Sequence, residues 1–368
     1  MKAVVLEAPN TLAYRDIPDP APFGAKPVRV RIGAVGVCGS DVLRYGRGKA
    51  YHYPLVLGHE FSGVVDQVPE GSGLRPGQKV AVFPCLPDPA DPLTRVGEYV
   101  LGSGYDYYGS RRDGAMAEWL WVPEDNLIPV PDSVPLVHAA IVEPAAVALH
   151  GVLKLDVPAS ASALVIGAGP IGALAAQWLR IRGVTRVLVA DVDARKRGLM
   201  ADLGFETVDA SPGDTVEQVM ERTGGRGVDI SVEASGLPVT LQQAVTVAAT
   251  FGQVLLLGDV SGDVTLPREL VSSVLRREVR ILGTWNSKIA PAGHSEWEMV
   301  VDHVARGDLR VAPLISHAPS LAEAPDVFED LLQRRTWYNK VVFAVADQAR
   351  QELGDPSVAP QLASVGAR

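Results

Sequence analysis

The sequence predicts an α/β protein of two units: a doubly wound parallel sheet, and a β-rich unit that the chain leaves and later re-enters. Three observations carry this. Over the first 150 residues short strands are punctuated by tight turns; from about residue 160 short apolar segments alternate with helical ones; and the strand-like Lys340-Val341-Val342-Phe343-Ala344 stands well outside that alternation. At 368 residues the chain is too long for one ordinary core, so two domains are expected. The expected boundaries are 1–152 with 288–345 for the β-rich unit, 153–287 for the parallel sheet, and 346–368 for a flexible tail poor in periodic pattern.

In chain order, Val28-Arg29-Val30-Arg31-Ile32 alternates apolar and charged side chains, the mark of a half-buried strand. Gly63-Val64-Val65 and Lys79-Val80-Ala81-Val82-Phe83 read as further strands, separated by turns such as Glu70-Gly71-Ser72-Gly73 and Pro76-Gly77. Ala163-Leu164-Val165-Ile166 is wholly apolar, as expected of a strand covered on both faces. A helix over 170–182 follows. Then come a strand at 187–190, a helix near 194–203, a strand at 228–232, a helix over 238–250, a strand at 254–257, a helix near 267–277 and a strand at 279–282. That alternation predicts the parallel sheet.

Bulk composition narrows the function. Hydrophobic residues make up 47% and charged residues 21%, as in ordinary water-soluble globular proteins. A net charge of −9 with no basic stretch speaks against nucleic acid as a partner. No apolar run is read as approaching the roughly 18 residues that span a bilayer, and Glu7 interrupts the start too early for a signal-peptide core. A cytoplasmic protein with no membrane partner is expected. With only Cys38 and Cys85, a disulfide framework is excluded, and each thiol is either a small buried hydrophobe or a ligand.

Gly167-Ala168-Gly169-Pro170-Ile171-Gly172 fits G-x-G-x-x-G in the context the motif requires, after a buried strand and at the start of a helix. Gly167 permits the tight turn, Gly169 lets backbone approach a pyrophosphate, and Gly172 lets helix and strand pack closely. The helix N-terminus then offers free N–H groups and partial positive charge, and Pro170 suits its first turn. Asp191 lies 19 residues after Gly172, near the spacing of about 20 at which an acid binds the adenosine ribose. A carboxylate there repels a 2′-phosphate, which favours NAD over NADP, although Arg195 and Lys196 follow closely. The plainer reading is a glycine loop without ligand and a helix-capping Asp191.

Three segments place ligand-capable side chains among small or apolar neighbours: Val37-Cys38-Gly39-Ser40-Asp41, Leu57-Gly58-His59-Glu60-Phe61 and Val142-Glu143-Pro144-Ala145. Thiolate, neutral imidazole and carboxylate form a plausible zinc set. Zinc held by three protein groups keeps a position open to polarise an alcohol oxygen. The alternatives are a core thiol, a solvated His59-Glu60 pair and a helix N-terminal Glu143.

Together these segments and the glycine loop resemble the zinc-dependent medium-chain dehydrogenase/reductase family from residue 1 to about 345. Tyr105-Asp106-Tyr107-Tyr108-Gly109-Ser110-Arg111-Arg112-Asp113-Gly114, Gly283-Thr284-Trp285 and Glu143-Pro144 look like its polyol dehydrogenase branch, that of the galactitol-1-phosphate and sorbitol dehydrogenases. The resemblance implies a GroES-like catalytic domain and a Rossmann NAD-binding domain. It implies that Cys38, His59 and Glu143 hold catalytic zinc, that Glu60 joins the zinc or holds its water, and that Ser40 relays the substrate proton. It implies NAD-dependent oxidation of a secondary alcohol of a polyol or cyclitol, in a homodimer or homotetramer paired through the last strands of the nucleotide domain. Near the site by the same analogy are Tyr51, Arg112, Glu118, Trp285 and Asn286, with Arg112 either binding a phosphate or pairing with Asp113.

Two departures stand out. Many relatives place a histidine relay five residues after the zinc cysteine, where this chain has Leu43. A four-cysteine structural zinc lobe is common in the family near 85–103; here its positions align with Asp88, Asp91, Thr94 and Gly102, which do not make a closed tetrahedral site. One catalytic zinc and no structural zinc is the expectation, with the lobe kept as a Pro-rich loop (Pro84, Pro87, Pro89, Pro92) and Cys85 packed. The rival readings are a zinc-free reductase of the same family, for which Cys38, His59 and Glu143 would be idle, and a non-catalytic NAD-binding protein.

Overall fold

The computed structural model describes residues 1–290 and 295–359. Its contacts divide the chain into two compact units, Met1–Glu143 with Lys288–Arg368, and Pro144–Ser287.

The first unit is built on a sheet that is antiparallel except where Ile315–His317 runs parallel to Lys340–Ala344. Its neighbouring strands run in the order Leu127–Pro129, Lys79–Val82, Glu60–Gln67, Pro27–Gly36, Lys340–Ala344 and Ile315–His317, and Trp119–Pro123 also pairs with Pro27–Gly36. Val28, Val30 and Ile32 are fully buried while Arg31 faces solvent, so the alternation read in the sequence is the sheet's own two-sidedness. A three-stranded sheet of Thr11–Asp16, Lys2–Ala8 and Leu55–Val56 packs with it into one core, filled by Leu6, Ile32, Leu55, Phe61, Phe328 and Phe343. Three adjacent strands matter for function. Gly36 pairs with Glu60 on one side and with Val342 on the other. The end of Pro27–Gly36 and the starts of the other two therefore lie at one edge of the sheet.

The second unit is a six-stranded parallel sheet, ordered Glu206–Asp209, Arg186–Asp191, Ser162–Ile166, Val228–Glu233, Ala248–Leu256 and Arg280–Gly283. Ser162–Ile166 is buried throughout. Strand order runs outward in both directions from it, which makes its C-terminal end the switch point where such sheets bind ligands. The expected α/β architecture, doubly wound sheet plus β-rich unit, is the one observed.

Three sequence expectations are corrected. The helix predicted over 238–250 ends at Val247, and the strand begins at Ala248 rather than 254. Phe251 holds a left-handed φ of 63° ahead of Gly252, which no helix continues through. Second, residues 346–359 are not a loose tail; 360–368 lie outside the described residues. Asp347–Glu352 is helical, and Glu352 accepts from Lys79 Nζ at 2.8 Å and from the Leu136 N–H at 2.7 Å. These are long-range charged contacts that composition does not register. Third, Leu136–Leu153 does reach 18 residues with hydropathy 1.7, long and apolar enough to cross a membrane, but 83% of it is buried within the protein, as in a core helix.

Candidate active site

Cys38 follows the strand Pro27–Gly36 and caps the helix Gly39–Arg47. His59 and Glu60 stand at the start of the neighbouring strand. Ligand atoms of Cys38, His59 and Glu60 all lie within 4.8 Å of one another. No other group of three His, Cys, Asp or Glu side chains among the described residues converges in that way. Glu143, in the first turn of Val142–Leu153, stands outside that trio, yet it is buried and close enough to feel the charges of His59, Glu60 and Lys340. Its Oε1 accepts from Tyr107 OH at 3.2 Å.

The surroundings hold the trio in place. Asp41 is fully buried; its Oδ2 accepts from the Cys38 N–H at 3.1 Å, and its Oδ1 lies 3.4 Å from His59 Nδ1. That approach is not aligned as a hydrogen bond, since Nδ1 has no bonded partner; the carboxylate faces the ring as a charge. Burial works against charge on His59, and the facing Asp41 and Cys38 outweigh it, holding the imidazole well above its ordinary basicity. Glu60 pairs with the buried Lys340 Nζ, which also donates to Val37 O at 3.0 Å. Burial, reinforced by Glu60, pushes the Glu143 carboxyl up to about 7. Thiol, imidazole and carboxylate in this arrangement are a zinc donor set. Crowded buried carboxyl groups, one of them reluctant to ionise, are what a bound dication relieves.

In the second unit the glycine loop joins Ser162–Ile166 to the helix Pro170–Ile181. Gly167 has a φ of 103°, and a Cβ on Gly172 would overlap Gly167 O. A Cβ on Gly169, by contrast, meets nothing within 4 Å. The space above Gly169, at the helix N-terminus, suits a diphosphate; Pro170 and Ile171 form the first helical turn. Asp191 ends the adjacent strand; its Oδ2 accepts from the Ala168 N–H at 2.7 Å, so its carboxylate lies against the loop. The helix-capping alternative for Asp191 does not hold: Asp193 caps Ala194–Asp202, taking the N–H groups of Arg195 and Lys196.

Of the other expected residues, Glu118, Arg112 and Tyr51 make their contacts with other groups of the first unit. Glu118 is exposed and accepts from the Lys2 N–H at 2.8 Å. Arg112 lies 3.7 Å over the Phe23 ring and pairs with Asp106 at 3.3 Å, not with Asp113, whose carboxylate takes the Val56 N–H. Tyr51 is exposed beneath Arg111. Trp285 is exposed in the second unit, and Asn286 Oδ1 accepts from the Ser287 N–H. Cys85 is fully buried, its thiol pushed up to about 12 by burial, so it is packed. In the lobe, Asp91 caps Pro92–Arg95 and accepts from the Ser103 N–H, while Asp88 accepts from the Ala90 N–H.

Sequence reasoning missed Asp41, Arg44, Tyr107 and Lys340. Asp41 and Arg44 lay within the helix opened by Cys38 and were discoverable from their i+3 and i+6 spacing. Lys340 was hidden in an apolar strand 280 residues from Glu60.

Comparison with known proteins agrees with both halves of this picture. An alcohol dehydrogenase GroES-like domain model matches residues 24–132, and a zinc-binding dehydrogenase model matches residues 170–306. Galactitol 1-phosphate 5-dehydrogenase of Escherichia coli K12 is 32% identical over 333 residues, covering 90% of this chain and 96% of the relative. The crystal structure of galactitol-1-phosphate dehydrogenase from Escherichia coli superimposes with a TM-score of 0.87 at 31% identity, over 94% of this chain and 100% of that one. A zinc-binding dehydrogenase of Sinorhizobium meliloti bound to NADP gives 0.85 at 30% identity, over 93% and 98%. The chain belongs to the zinc-dependent medium-chain dehydrogenase/reductase family, in its polyol dehydrogenase branch.

Proposed function

We propose that this protein oxidises a secondary hydroxyl of a polyol to a ketone, reversibly, using one zinc ion and NAD. The observation that carries the reading is the convergence of Cys38, His59 and Glu60 within 4.8 Å at one edge of the catalytic sheet. In this reading these three side chains and Glu143 hold the zinc. When bound, zinc supplies a Lewis acid that lowers the proton affinity of the alcohol, and the nicotinamide supplies the hydride acceptor.

The chain's own residues do the rest. Asp41 fixes the Cys38 backbone and the His59 ring, as partners behind metal ligands do. Lys340 holds Glu60 beside the trio. Ser40, two residues beyond Cys38, takes the substrate proton while releasing its own. With Leu43 half exposed where relatives place a histidine, water receives that proton.

NAD rather than NADP is supported by Asp191, whose carboxylate against the loop opposes a 2′-phosphate. One zinc rather than two is supported by the lobe, which Asp88 and Asp91 close with hydrogen bonds. Pairing of subunits through the edge strand Arg280–Gly283 is supported by the exposed Val271, Leu275 and Ile281. A cytoplasmic setting, which keeps Cys38 reduced, completes the reading.

The test is a rate panel of free polyols, polyol phosphates and cyclitols with NAD and with NADP. Oxidation of at least one polyol, faster with NAD, is expected. Activity confined to cyclitols would move the substrate class, NADP preference would overturn the role of Asp191, and no alcohol oxidation would overturn the function.

A further inference from the structure

We propose that Arg44 is a positioning residue that aims the Ser40 hydroxyl. The inference rests on the relay role given to Ser40 above. Both residues lie on the helix Gly39–Arg47, one turn apart, so the fold itself sets them side by side. Arg44 Nη1 donates to Ser40 Oγ at 2.8 Å and to Asp41 Oδ1 at 3.2 Å. A hydroxyl has one proton and two lone pairs. A guanidinium has no lone pair to offer and does not lose its proton, so it occupies one lone pair of Oγ and turns the Ser40 proton away from itself. Oγ is left with one lone pair to receive a proton and one O–H to release one. The same nitrogen ties Oγ to the carboxylate that fixes Cys38 and His59. The hydroxyl and the metal ligands are thereby held in one frame.

Two further observations favour this role over a purely structural one. Arg44 Nε is buried with no acceptor, an arrangement that costs stability. Leu43 offers no polar atom to orient Ser40 from the neighbouring position, so Arg44 is the side chain seen to fix that hydroxyl. Arg44 is not the proton's destination. It makes the transfer directional and stabilises negative charge growing on Oγ as the proton moves.

The test compares wild type, Ser40→Ala, Arg44→Met, Arg44→Lys and the Ser40→Ala/Arg44→Met double variant. Each is loaded with zinc and assayed for oxidation of sorbitol, xylitol and 2,3-butanediol with NAD. Arg44→Met is expected to lower kcat about ten- to a hundredfold with little change in KM, and Arg44→Lys to restore part of it. In the Ser40→Ala background Arg44→Met is expected to change nothing further, and zinc content is expected to stay at the wild-type value throughout. Equal losses in both backgrounds, or loss of zinc from Arg44→Met, would overturn the proposal, because Arg44 would then act through Asp41 and the ligands. Crystal structures of the zinc-loaded proteins decide the same question without a substrate. One Ser40 Oγ position in wild type and several in Arg44→Met are expected; a single shared position in both contradicts the proposal. If wild type oxidises none of the three alcohols while the Oγ result holds, it is the functional reading that has failed.

Discussion

Replacing Lys340 with Met removes the positive partner of a buried carboxylate and leaves the shape nearly unchanged. Both side chains of the pair are 3% exposed, so water cannot take over the lost interaction. Lys340 also donates to Val37 O, which loses its partner. Removing one member of a buried pair costs about 3–5 kcal/mol. For a chain of 368 residues, with an unfolding entropy of about 2.1 cal/mol/K per residue, that corresponds to a fall in melting temperature of about 4–7 °C in the presence of a chelator. Removing both charges together is much cheaper, so Glu60→Gln in the Lys340→Met background is expected to recover most of the loss. Saturating zinc is expected to recover part of it as well, since a dication beside Glu60 supplies the missing charge. Calorimetric scans of the two single variants and the double variant, each with chelator and with zinc, read all of these. A chelated Lys340→Met protein within about 1 kcal/mol of wild type, or a double variant no more stable than Lys340→Met, would refute the reasoning.

The second and third glycines of the nucleotide loop should separate fold from binding. Gly169→Ala is expected to leave the melting temperature within about 2 °C of wild type and to weaken NADH binding at least tenfold by titration, because its Cβ fills otherwise open space. Gly172→Ala is expected to destabilise as well, by about 1–3 kcal/mol, because its Cβ overlaps Gly167 O; equal behaviour of the two would contradict this. His138 predicts a pH effect on stability. Burial lowers its basicity below the ordinary value of 6.5, and Nε2 bonds to Val358 O at 2.6 Å. The unfolded chain thus binds a proton more readily, so this contribution is complete above pH 6.5 and is lost as the pH falls below it. The stability gap between wild type and His138→Gln is expected to narrow on acidification from pH 7.5 to about 5.5 in denaturant melts, and a gap independent of pH would count against it.

What the sequence made legible was whatever is local. The glycine loop, its flanking strand and Asp191 are written within 30 residues, and Gly167 and Gly172 meet backbone requirements that a residue with a Cβ does not. Cys38 and His59-Glu60 were legible as ligand types, but their convergence depends on the pairing of Gly36 with Glu60 across two strands. Lys340 was illegible for the same reason, one strand further along. A single lysine opening an apolar strand reads as a solvated end until its neighbour is known to be Glu60. The helix Glu296–Arg306 was overlooked although Ser295 and Glu298 form a capping box, a signal present in the sequence. Glu118 and Arg112 failed the other way. Their residue types suited a substrate site, but the Lys2 N–H, Phe23 and Asp106 claim them.

In the proposed function, one zinc ion at Cys38, His59, Glu60 and Glu143 makes this protein an alcohol-oxidising enzyme. Zinc quantified per chain in the purified protein, in parallel with NAD-dependent polyol oxidation, tests it most directly. One zinc per chain is expected in wild type, none in Cys38→Ser, and activity that disappears with a chelator and returns with added zinc. Two zinc ions per chain, or full activity in zinc-free protein, would contradict it.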